Sequence, residues 1–185
     1  KQLALRVLST AALVAMVSSI ATAAFADTYD VTKGSVDILA EGGEQRITQR
    51  DDTGAFVKDE KGDIDHRLDS KIVLPTKNKD TGKTETAHNT VTIAAKEGNT
   101  ANVTLQDVNI EVDTTKAKSG AIEIKGDGNT KLELNGDNTV MVKNDWEEEH
   151  AAIEKADKYG KGTLTITDDK NDDGAAKDKD ENGNA

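Results

Sequence analysis

The stretch that decides the fold is "GAIEIKGDGNTKLELNGDNTV", residues 120–140. Ile122 and Ile124 alternate with polar neighbours, as do Leu132 and Leu134, and Val140 opens a third alternating run. Alternation with period two is the mark of a strand with one buried face. Between the runs stand Gly126-Asp127-Gly128-Asn129 and Asn135-Gly136-Asp137-Asn138. Glycine and asparagine accept the left-handed backbone that a tight bend demands, so these are corners. Short strands joined by such corners fit either a β-sandwich or one turn of a solenoid.

A repeat separates the two. Val91/Ile93, Ile122/Ile124 and Ile153/Lys155 recur every 31 residues. Val103/Leu105, Leu132/Leu134 and Leu164/Ile166 recur at 29 and 32, and Ile110/Val112 returns as Val140/Val142 after 30. "SGAIE" at 119–123 reappears as "HAAIE" at 150–154. Three short strands in a period of about 30 residues predict a parallel β-helix, its coils stacked at about 4.8 Å with aliphatic rows inside. Antiparallel hairpins in two layers are the alternative. Lys155 stands at an inward position of the third coil, which reads as a cap or as a turn with more chain to follow.

The pattern divides the chain. Residues 1–26, "KQLALRVLSTAALVAMVSSIATAAFA", carry Lys1 and Arg6, an apolar run and a terminal Ala-Phe-Ala, the order of a secretory signal peptide. Residues 27–88 are an irregular region with expected strands at 34–39, 45–49 and 71–75, suited to capping the first coil. Residues 89–167 are the coils. Residues 168–185, almost without apolar side chains, read as an acidic, disordered tail or the start of another coil. The expected location is therefore secreted or cell surface, with no membrane insertion after the signal is cut.

Cleavage would remove two of the 24 basic residues and none of the 35 acidic ones, a mature net charge of −13. That excess repels phosphate backbones and argues against nucleic acid. The absence of cysteine excludes disulfides, thiol catalysis and Cys-ligated zinc. Only Tyr29, Phe56, Trp146 and Tyr159 supply aromatic rings after the signal, too few for a three-layer enzyme core.

The runs "VTLQDVNI", "AIEI" and "LNGDNTV", with the opening "YDVTKGSVDI", resemble a group of secreted repeat proteins of Gram-positive bacteria. The resemblance covers most of the mature chain. It implies an all-β fold, a short right-handed parallel β-helix of about three coils with an irregular N-terminal cap region. It also implies a carbohydrate-binding or surface role.

Candidate chemistry follows from a few residues. Trp146, on the loop "KNDWEEEH", and Tyr159 on the next loop would form an aromatic platform for a sugar ring, with Glu148 and Lys158 on its rim. The competing reading is that Trp146 only covers a hydrophobic corner. Asp169, Asn171, Asp173 and Gly174 match the first half of a calcium loop, and Asp180 falls at its twelfth position, making calcium the expected cofactor. A solvated acidic tail is the plainer account of the same residues. Lyases need a basic residue beside carboxylates and hydrolases a pair of carboxylates. Yet Arg46, Arg50 and Arg67 all precede the coils, and Asp127 and Asp137 are explained by their corners. The expectation is a non-catalytic module that binds extracellular polysaccharide or a host or cell-wall glycan. A spacer segment of a longer surface solenoid, or a lyase or hydrolase fragment, are the other readings.

Overall fold

The computed structural model describes residues 27–57, 66–68, 72–78, 81–143, 150–155, 158 and 160–168. The expected signal peptide and the acidic tail after Asp168 lie outside them. The described chain is mostly strand: β1 (Asp27–Thr28), β2 (Ser35–Glu41), β3 (Glu44–Arg50), β4 (His66–Leu68), β5 (Ile72–Pro75), β6 (Val91–Ala95) and β7 (Thr100–Gln106). After these come β8 (Asn109–Asp113), β9 (Ile122–Lys125), β10 (Asn129–Asn135), β11 (Thr139–Lys143), β12 (Ile153–Glu154) and β13 (Leu164–Asp168). One short helix, α1 (Thr114–Ala117), stands between β8 and β9.

The strands form three sheets. The first runs β1-β5-β7-β10-β13 and is parallel throughout. The second runs β12-β9-β6-β2-β3-β4, parallel from β12 to β2 and antiparallel from β2 to β4. The third is the parallel pair β11-β8, extended by the bridge Ala87↔Ile110. From β6 onward the chain visits the second, first and third sheets in turn, then repeats. Each strand therefore pairs with its counterpart one round later. Among the described residues, antiparallel pairing is confined to β2–β3–β4 and the isolated bridges Arg50↔Phe56 and Lys77↔Thr84. Gly42 and Gly43, at φ 63° and 83°, make the two-residue turn between β2 and β3.

Alternation in the sequence becomes ladders in the core. Val36, Val91 and Ile122 are in register, as are Ile38, Ile93 and Ile124, and all six are at most 2% exposed. In the first sheet Ile72–Val103–Leu132 and Leu74–Leu105 do the same. Burying a Val, Leu or Ile side chain is worth roughly 1.5–3 kcal/mol, so these rows are the main stabilising force. The ladders begin before Asn89, because β2 and β5 carry the same inward rows as the later strands.

At the last round the register differs from the spacing of 32 expected between Leu132 and Leu164. Leu132 pairs with Ile166, and Thr130 with Leu164, a separation of 34. The corner fixes this. A Cβ on Gly160 would strike the carbonyl of Gly126, and one on Gly162 the carbonyl of Gly128, so the two Gly-x-Gly corners lie directly on one another. Lys161 N–H donates to Asp127 Oδ1 at 2.9 Å and Thr163 N–H to Asn129 Oδ1 at 3.1 Å.

Other corners use the same device. Val108 N–H donates to Asn138 Oδ1 at 3.2 Å, Asp137 N–H to Asp107 Oδ1 at 3.3 Å, and Asn109 N–H to Thr76 Oγ1 at 2.8 Å. Short polar side chains thus satisfy backbone donors of a neighbouring round, which a bend would otherwise leave unpaired. Asp107, Asp127, Asn129 and Asn138 are structural residues.

Candidate functional site

The side of the stack where the third sheet hands over to the second carries a groove of about 690 Å³. Three segments build it: the turn after β3, with Asp51 and Asp52; the approach to β6, with His88 and Thr90; and the end of β8 with α1. Ser35 and Lys143 complete the lining. No two of these segments are neighbours in sequence. The stacking of rounds brings them together.

Two Asp-x-Thr motifs shape the rims. Asp51 Oδ1 accepts from Thr53 N–H at 3.0 Å, Thr53 Oγ1 at 2.7 Å and Ala55 N–H at 2.9 Å, closing the turn after β3. Asp113 Oδ1 accepts from Thr115 N–H at 3.1 Å and Thr115 Oγ1 at 2.6 Å, which caps α1 and starts it. Lys118, at φ 57°, ends the helix in the left-handed conformation. Asp30 makes the same pair of bonds with Thr32 at the 3₁₀ turn Val31–Lys33.

Hydrogen bonding holds Asp51 and Asp113 ionised. The Thr53 hydroxyl, aided by backbone N–H groups, lowers Asp51 below 3.8, and the Thr115 hydroxyl does the same for Asp113, with Lys116 adding to it. Both carboxylates are acceptors, unsuited to giving up a proton. Glu111 Oε1 meets Lys143 Nζ at 2.6 Å, and Asp113 Oδ2 lies 3.7 Å from Lys116 Nζ. His88 Nδ1 is 2.9 Å from the Glu111 carbonyl oxygen. Ser35 Oγ takes the Thr90 N–H at 3.2 Å and lies 3.3 Å from the Thr90 hydroxyl. The groove thus gathers polar side chains from β2, β8, β11, α1 and two connecting turns, with apolar surface between them.

Of the residues assigned to the expected aromatic platform and calcium loop, only Lys158 belongs to the described part, where it is exposed. Trp146, Tyr159 and Glu148 lie outside the described residues, as do Asp169, Asn171, Asp173 and Asp180 of the expected calcium loop. Among the described residues no group of three or more His, Asp or Glu side chains is arranged to hold a metal ion. No described helix is long and apolar enough to cross a membrane. His150 is half-buried, with Nδ1 2.8 Å from Glu154 Oε2. Lys155, expected inward, is half-buried and donates through Nζ to the Gly160 carbonyl at 3.1 Å.

Sequence reasoning missed the groove. The available signal was the Asp-x-Thr triplet at 51–53 and 113–115, which marks the two turns but not their proximity. Comparison with protein-family models, with curated proteins and with solved structures gives no match.

Proposed function

We propose that the chain is a non-catalytic extracellular module that binds a glycan along the groove, on a short right-handed parallel β-helix of about three coils. The observation that carries this reading is the groove itself: about 690 Å³, open along the flank of a parallel stack, with its polar side chains tied to the backbone or to each other. Preorganised polar groups lose little freedom on binding and so favour a hydroxyl-rich ligand. The acid-lowered carboxylates fit the same role, because a permanent acceptor orients a hydroxyl and a general acid needs the opposite shift.

A glycan array followed by titration of the best polymer tests the reading. Binding that falls in Asp52→Ala and Lys143→Ala variants is the expected result. If no polymer binds, a spacer role replaces it. The rows of side-chain bonds between corners favour that second reading, since they brace the stack without presenting a ligand site.

A further inference from the structure

We infer that the groove accepts a glycan without anionic groups, a neutral or amino-sugar chain, and excludes uronates and sulfated sugars. This rests on the glycan-binding reading above and narrows it by the polarity of the hydrogen bonds on offer.

Three observations set that polarity. First, each ammonium group of the groove lies beside a carboxylate of the same groove, Lys143 hydrogen-bonded to Glu111 at 2.6 Å and Lys116 3.7 Å from Asp113. A sugar carboxylate entering there has to compete with a resident carboxylate for either cation. Second, the Glu111 carbonyl oxygen can only accept, so His88 Nδ1 carries the hydrogen in their 2.9 Å contact. In the neutral ring Nε2 then presents a lone pair, which receives a hydroxyl and repels a carboxylate. Third, the lining holds Asp51, Asp52, Glu111 and Asp113 against Lys116 and Lys143, two more negative charges than positive. Asp51 commits Oδ1 to local donors, leaving Oδ2 to accept from a ligand, whereas Asp113 holds Thr115 on Oδ1 and faces Lys116 with Oδ2. The surfaces on offer are thus mainly acceptors, and the matching ligand is a donor: sugar hydroxyls, or the ammonium of a glucosamine residue.

Calorimetric titration with hexamers of three kinds tests this: a neutral glucan, a glucosamine chain and a galacturonate chain. The neutral or the glucosamine hexamer should bind at least about tenfold more tightly than galacturonate, a difference of about 1.4 kcal/mol. A Glu111→Gln variant releases the Lys143 ammonium and should gain affinity for galacturonate. Glu97→Gln, on the corner between β6 and β7 outside the groove, removes the same charge and should leave all three titrations unchanged; thermal melts confirm that both variants fold. Galacturonate binding as tightly as the others overturns the inference and leaves the glycan reading standing. A galacturonate gain absent in Glu111→Gln, or equal in Glu97→Gln, also overturns it, because overall charge would then be the cause. Failure of all three hexamers and of the wider array removes the glycan reading itself.

Discussion

Thr130 sits in the first sheet between Ala101 and Leu164, 1% exposed, and its hydroxyl has no hydrogen-bond partner among the described residues. A buried polar atom without a partner costs about 1–3 kcal/mol. Thr130→Val keeps the branched shape and removes the hydroxyl, so it should raise stability by about 1 kcal/mol in a denaturant titration. Asp51 and Asp113 act in the opposite sense. Their folded pKa values are lowered from 3.8 by the threonine hydroxyls, so their contribution is present above that value and lost as pH falls through the lower folded one. Melting temperature should therefore drop on acidification below about pH 4, and an Asp113→Ala variant should show a shallower drop there.

At the scale of elements, the corners decide the register. Gly160 and Gly162 approach the backbone of Gly126 and Gly128 too closely for any side chain. Gly162→Ala forces that corner apart, and a loss of about 1–3 kcal/mol is expected in thermal or denaturant unfolding. The aliphatic pairs alone could not place this round. A shift of two residues keeps every side chain on the same face, so the expected alignment of Leu132 with Leu164 and the observed one with Ile166 satisfy the same inside–outside pattern. Aligning the Gly-x-Gly corners at 126–128 and 160–162 gives the observed 34. The spacings of 31 at Val91/Ile122/Ile153 and 30 at Ile110/Val140 were legible, because corner and aliphatic signals agree there. Helix α1 was overlooked because four residues are too few to show helical periodicity; only the Asp113-x-Thr115 cap announces it. The groove was illegible for another reason. Its parts, at 51–52, 88–90, 111–117 and 143, meet only through the stacking of rounds.

Across the described molecule, burial is as complete in β2 and β5 as in the rounds that follow and thins toward the last. Ile122 is fully buried, whereas Ile153 and Leu164 are half-buried and Ile166 is 49% exposed. Ile122→Ala should cost about 2–5 kcal/mol, and Ile166→Ala well under that, measured by equilibrium unfolding. Equal losses would mean that the end of the stack is as tightly covered as its middle.

Because the ladders join each round to its immediate neighbours, β10 bonding to β7 on one side and β13 on the other, no strand pairing among the described residues ties the first round to the last against a load on the chain ends. Pulled between its termini by an atomic-force cantilever, the protein should unwind from one end, one round per rupture. Each event after Val91 would release some thirty residues of slack, about 100 Å of extended chain, and the longer round from Val36 to Val91 would give one wider-spaced peak.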